Sequence, residues 1–278
     1  MDRWLTRIVR IVGTAIGAFA GVVAVQMVRL RRMEFLPSHP GFYVNHVVSP
    51  ATGSPRETRM RMAVLGDSTT AGVGVERPED SLPYLLAQRV ADAQQRDVQV
   101  VSYGWAGARV ADLGGDQLPR ALKPLRESDA KPFLPGADIV AVVIGSNDAT
   151  HRTRPSRFRA EMRATLEGIR EAAPQARLVL AGIPDFRGAL REIEPLIFLT
   201  NQYGRLLRPI GRAEAIRVGA AYADLAAEVP ARIVGRTDAL SSDQFHPSVV
   251  GYSAWADVIF ESLFGPADTA ELVEPAGA

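Results

Sequence analysis

The sequence predicts an α/β fold in three layers: a parallel sheet with helices on both faces, preceded by one apolar N-terminal helix. Three observations carry this. From residue 60 onward, short apolar runs alternate with segments of helical periodicity, the signature of successive βαβ units. The strongest run, Asp138–Ile144, reads Asp-Ile-Val-Ala-Val-Val-Ile, apolar at consecutive positions as a strand covered on both faces requires. Far upstream of that alternation, Ile11–Val28 gives 18 residues without a charge.

Bulk composition narrows the classes. A chain of 278 residues with 47% hydrophobic content accommodates one α/β domain plus extensions. The formal net charge of +1 provides no global field for a nucleic-acid partner. Cysteine is absent, which excludes disulfides, a thiolate nucleophile and cysteine-based metal sites.

Residues 1–33 read as a membrane anchor. A helix over Ile11–Val28 rises about 27 Å, near the thickness of a bilayer's hydrocarbon core. Ala18-Phe19-Ala20 has the small-x-small form of a signal-peptide cleavage site, so a signal segment is the competing reading. However, apolar residues continue to Val28, and Arg29, Arg31 and Arg32 then end the run, which favours an uncleaved single pass. Arg3, Arg7 and Arg10 balance that cluster on the other side, so the positive-inside rule leaves the side unresolved; an envelope-facing domain is preferred. Residues 34–59, rich in Pro and Gly, read as an irregular stem.

The domain proper is expected over 60–264. Met62–Gly66 is its first strand. Ser81–Gln95 is a helix with Leu82, Leu85, Leu86 and Val90 on one face. Val98–Val101 is the second strand, and Ala108–Leu125 is partly helical, interrupted at Gly114-Gly115 and Pro119. After the third strand at 138–144 come a helix over Ser156–Ala173, closed by Pro174, and a fourth strand at Arg177–Ala181. A long helical segment spans Leu196–Gly219, a short fifth strand Ala220–Leu225, and a last helix Pro247–Phe264, where proline suits the first turn. Residues 265–278 read as a flexible tail.

Parallel α/β sheets bind ligands at the carboxyl ends of their strands, and the polar residues there form a set. Gly66-Asp67-Ser68 follows the first strand, Gly107 the second, and Gly145-Ser146-Asn147-Asp148 the third; Asp243-Gln244-Phe245-His246 precedes the last helix. Each block alone is an ordinary turn or cap. In this order they supply acyl-transfer equipment. A serine hydroxyl needs a general base within hydrogen-bond reach, and the base needs an orienting group. Ser68 is the candidate nucleophile, His246 the base, and Asp243, three residues before it, the orienting acid. The backbone N–H groups of Ser68 and Gly107 and the side-chain amide of Asn147 are candidate oxyanion donors. Asp67 and Asp148 read as loop-fixing groups, His151 as a surface histidine, and Trp105 and Phe186 as residues flanking the site or packed in the core.

These blocks resemble the SGNH/GDSL hydrolase family over roughly Met60–Phe264. The resemblance implies a flavodoxin-like, three-layer α/β/α sandwich with a five-stranded parallel sheet. It also implies esterase, lipase, thioesterase or carbohydrate-ester deacylase activity, on a small-molecule, lipid or glycan ester, without a metal or organic cofactor. The same site in an acyltransferase would pass the acyl group to a hydroxyl instead of water. One departure is Ser102, where the family's second block often has asparagine.

Overall fold

The computed structural model describes residues 3–32, 36–53, 55–126, 131–188 and 194–270. In chain order the main elements are α1 (Arg3–Arg32), β1 (Asn45–Val48), β2 (Arg56–Gly66), α2 (Ser68–Ala71), α3 (Leu82–Gln94), β3 (Arg96–Ser102), α4 (Val110–Asp112), α5 (Leu118–Ala121), β4 (Ile139–Val143), α6 (Ser146–Thr150), α7 (Pro155–Ala172), β5 (Arg177–Ala181), α8 (Leu196–Arg217), β6 (Ala221–Ala223), α9 (Leu225–Arg232) and α10 (Val249–Ala270). A π-helical turn, Leu113–Gln117, joins α4 to α5.

The strand order is β1-β3-β2-β4-β5-β6. Strands β2 to β6 pair in parallel, and their order is that of a flavodoxin-like sheet, with its switch point between β2 and β4. Strand pleating divides the core in two. Ala63, Leu65, Val140 and Val142 face α7 and α8, where Phe158, Met162, Leu166 and Leu207 are buried. Met62, Val64, Ile139 and Ala141 face the opposite way, against Leu82, Leu86 and Val90 of α3, Val229 of α9, and Tyr252 and Ile259 of α10.

The sheet differs from the five parallel strands expected. The stretch read as an irregular stem contributes β1, which lies antiparallel on β3 with Asn45 opposite Val101 and Val48 opposite Val98. β2 likewise begins at Arg56, within that stretch. Proline and glycine on either side mask β1. Its four residues, Asn-His-Val-Val, show too short a pattern, and its hydrogen-bonding partner lies some fifty residues on. Val44 and Val48 are nevertheless buried. α9 was also not anticipated; Pro230 sits inside it. At the other end α10 continues past the expected boundary, across a non-helical Gly265, to Ala270. Residues 271–278 of the expected tail lie outside the described residues.

At the N-terminus, α1 forms the expected apolar helix. Its Arg3–Gln26 portion is long and apolar enough to cross a membrane, with mean hydropathy 2.1, and buries nothing against the domain in its most apolar stretch. A signal sequence passes the same test of length and composition.

Burial of Val48 makes β1 an energetic part of the sheet rather than a passing contact. Val48→Ala should lower unfolding stability by about 1–3 kcal/mol, the scale of burying a valine side chain. Urea denaturation of variant and parent measures this; equal midpoints would mean that β1 contributes nothing to the folded sheet.

Candidate active site

The site begins where β2 ends. Gly66 lies opposite Val143 in the register, and a Cβ built on it would stand 2.2 Å from the Val143 carbonyl oxygen, so no other residue fits without displacing the strand. Its backbone is held by the buried side chain of Gln117. The Gly66 N–H donates to Gln117 Oε1 at 2.8 Å, and Gln117 Nε2 donates to the Gly66 carbonyl at 2.7 Å. Asp67 then caps α2 by accepting from the Thr69 N–H at 3.0 Å and the Thr69 hydroxyl at 2.8 Å. Ser68 is the first residue of α2.

The last loop supplies the partners. His246 Nε2 lies 3.0 Å from Ser68 Oγ, across 178 residues of sequence. His246 Nδ1 lies 2.6 Å from Asp243 Oδ2. Asp243 Oδ1 accepts from the Ser241 hydroxyl at 2.9 Å, the Phe245 N–H at 3.0 Å and the His246 N–H at 2.9 Å. Gln244 adopts a left-handed φ of 56°, which folds the loop tightly enough for these bonds. Ser241 closes the loop: its N–H donates to the His246 carbonyl at 2.9 Å. Tyr252, fully buried on α10, donates its hydroxyl to the Val73 carbonyl, tying the helix after His246 to the segment after Ser68.

The remaining blocks converge by sheet register. β3 and β4 flank β2, so the loops bearing Gly107 and Asn147 leave on either side of Ser68. Asn147 Nδ2 donates to the Ala108 carbonyl at 3.0 Å, linking the two outer loops with one of its two N–H donors. Gly107 has φ of 87°, a left-handed conformation that glycine adopts without a Cβ penalty. Among the described residues, neither the Ser68 N–H nor the Gly107 N–H has a hydrogen-bond acceptor. Ser102, the departure from the resembling family, donates its hydroxyl to the Thr70 carbonyl at 2.7 Å and so joins the end of β3 to α2.

A cavity of about 570 Å³ opens beside these groups, bordered by Ser68, Asn147 and His246. One wall is apolar, with Leu225, Val229 and Ile233 on or just after α9 and Trp255 on α10. Phe186 lines the cavity, whereas Trp105 and Gly107 stand outside its lining. His151 is exposed and bonded to its own loop through Thr150 and the Asn147 carbonyl. Asp148 Oδ2 accepts from the Val110 N–H at 2.9 Å, the loop-fixing role expected of it. No cluster of three metal-ligating residues occurs among the described residues. Sequence reasoning missed Gln117, Ser241 and Tyr252. For Gln117 a signal existed: it is a lone amide between Leu113 and Leu118.

The three aspartates of the site differ in their environments. Burial pushes the Asp243 carboxyl up, but the hydrogen bonds from the His246 ring and from the backbone N–H groups of His246 and Phe245 outweigh it and hold the group well below the usual carboxylate range. An ionised carboxylate only accepts, so Nδ1 of a neutral His246 carries the proton and Nε2 is left to accept from Ser68. Asp67 and Asp148 are raised, chiefly by burial, which their hydrogen bonds offset only in part.

Two outcomes follow from these contacts. Gln117→Met keeps the volume but strips both bonds from a buried backbone, and should cost about 2–6 kcal/mol at 1–3 kcal/mol per unpaired group; unchanged urea stability would remove the clamp from consideration. Because folding lowers the Asp243 pKa, its contribution to stability is present above the unfolded value, about 3.9, and fades as pH falls toward the folded one. The stability gap between parent and Asp243→Asn should therefore be widest at neutral pH and shrink below about pH 4. The raised groups Asp67 and Asp148 are common to both proteins and cancel in the difference, so a gap that does not change with pH would contradict the assignment.

The fold matches those of known proteins. The model of the GDSL-like lipase/acylhydrolase family matches residues 64–254. Among solved structures, the chain is similar to the lipase Lip_vut3 from a goat rumen metagenome (TM-score 0.58, 18% identity, covering 74% of this chain and 99% of that one). It is also similar to a lipase/acylhydrolase from Enterococcus faecalis (TM-score 0.54, 22% identity, 79% and 100%) and an extracellular lipase from Streptomyces rimosus (TM-score 0.53, 22% identity, 73% and 99%). No curated protein matches the sequence. Identities this low speak for the fold alone, but the family model spans most of the chain: this protein belongs to the GDSL-like lipase/acylhydrolase family of ester-bond hydrolases.

Proposed function

We propose that the protein is a serine hydrolase that cleaves carboxylic esters through an acyl-enzyme. The observation that carries this reading is the continuous path Asp243–His246–Ser68, with contacts of 2.6 Å and 3.0 Å, on the border of a half-apolar cavity.

Chemically, Ser68 Oγ attacks the ester carbonyl carbon while its proton passes to His246 Nε2. The carbonyl π electrons move to oxygen, and the oxyanion is received by the Ser68 and Gly107 N–H groups and the Asn147 amide. Both N–H groups lack an acceptor among the described residues, as donors reserved for a transient charge should. As the carbon–oxygen bond to the alcohol breaks, His246 returns its proton to the leaving oxygen. Water then repeats the sequence on the acyl-enzyme and releases the acid. Asp243 holds the ring tautomer throughout and stabilises the imidazolium. The wall of Leu225, Val229, Ile233 and Trp255 suits the hydrocarbon part of the acyl group. α1 anchors the enzyme to a membrane by a single pass.

A panel of p-nitrophenyl esters of increasing chain length tests the reading. Turnover should rise from acetyl to medium-chain esters, and Ser68→Ala should lower it by roughly a thousandfold or more with the unfolding midpoint little changed. A fluorophosphonate serine probe should label the parent and not the variant. Persisting turnover in Ser68→Ala would refute the assignment.

A further inference from the structure

We propose that the site is held against the bilayer by its own tether and draws its substrate from that bilayer, as an acyl ester whose carbonyl lies at the membrane interface. The proposal rests on the hydrolase reading above and on α1 remaining attached.

From Leu36 onward, the stretch between helix and sheet is packed on the domain. Only three residues of chain, 33–35, separate the last residue of α1, Arg32, from Leu36, so the two lie at most about 14 Å apart even when the chain is extended. Leu36 does not trail away from the domain: its backbone nitrogen stands 3.5 Å from Asp243 Oδ2, directly behind the His246 ring. The chain then stays on the domain. A Cβ on Gly72, at the end of α2, would stand 2.8 Å from the Phe42 ring, the Val44 carbonyl accepts from the Ser102 N–H at 2.9 Å, and β1 follows. A three-residue link cannot pass around a domain of this size, whose radius of gyration is about 17 Å. The face that carries Asp243 and His246 is therefore the face from which α1 departs.

A second contact agrees. Gln26 closes the apolar portion of α1, and its side-chain amide donates to the Glu194 carbonyl. Glu194 leads into α8, downstream of the cavity-lining segment Pro184–Gly188. Leu36 thus meets the domain beside Asp243, and α1 itself meets it at the start of α8. Beside the cavity, between lining residues Ile233 and Arg236, Val234 is 78% exposed, an apolar side chain presented outward where a bilayer surface would receive it. With the mouth at the interface, an acyl chain could slide from the lipid layer along the apolar wall without crossing water.

The full chain, reconstituted in phosphatidylcholine vesicles, supplies the test. A rigid helical (EAAAK)6 spacer inserted after Arg32 lifts the domain by about 45 Å and leaves Leu36 and the site unaltered. Turnover is read on two esters: a fluorogenic diacyl lipid in the vesicle and a water-soluble short-chain ester. The expected result is at least a tenfold loss on the vesicle ester with the soluble ester within twofold. Unchanged vesicle turnover overturns the proposal and leaves the hydrolase reading standing. An equal loss on both esters also overturns it, because the link would then act on site geometry and not on reach. Failure of the parent chain to cleave either ester overturns the hydrolase reading itself. Intact mass of the membrane-extracted protein must include α1; a chain cleaved near Ala20 overturns the tether.

Discussion

Parallel pairing of β2 with β3 on one side and β4 on the other is the constraint on which the rest depends. It sets Gly66 opposite Val143 and Val64 opposite Ser102, so that three loops leave the sheet side by side. The polar residues of the site then need no long reach. The hydroxyl, the two backbone N–H groups and the amide arise from neighbouring strand ends, and only the histidine must be brought from elsewhere. Close approach at Gly66 is the most exacting point, since the Val143 carbonyl occupies the space a side chain would need.

Bringing the histidine is the task of α10 and the loop before it. Tyr252 and Trp255 anchor the helix in the core beneath the sheet, and the Tyr252 hydroxyl reaches the segment just after Ser68. Within the loop one carboxylate organises four donors. This explains why Asp243 and Asp67, both buried, move in opposite directions. Asp243 collects the imidazole, two backbone N–H groups and a hydroxyl, whereas Asp67 has the two Thr69 bonds and a weaker pull from His246 to offset its burial. Desolvation raises any carboxyl; the number and charge of its donors decide whether that rise survives.

The segment between α1 and the sheet changes the picture of how the domain is presented. β1 extends the parallel sheet by an antiparallel edge strand, and the chain ahead of it lies along the site rather than hanging free. For a hydrolase of ester bonds, orientation governs how often the substrate meets the reacting groups.

Much of this was legible in the sequence, because it is written in local pattern. Consecutive apolar residues at 138–144 made a doubly covered strand, alternation of strand and helix made the sheet parallel, and Gly66-Asp67-Ser68, Gly107 and Asn147 fell after strands, where chemistry gathers, with Asp243-x-x-His246 ahead of the last helix. Such features depend on neighbours a few residues away. β1 was not legible: four residues among prolines and glycines carry no periodicity, and only β3, distant in sequence, makes them a strand. Ser241 escaped for the same reason, since a buried hydroxyl announces itself only through the partner it satisfies; the amide of Gln117 between Leu113 and Leu118 marked a buried polar group but not the Gly66 backbone it holds. The sequence by itself determined which groups the protein owns and which strands carry them. Tertiary structure alone decided that His246 stands 3.0 Å from Ser68 and that Leu36 lies beside Asp243, because distances between remote segments are set by packing and register, not by local preference.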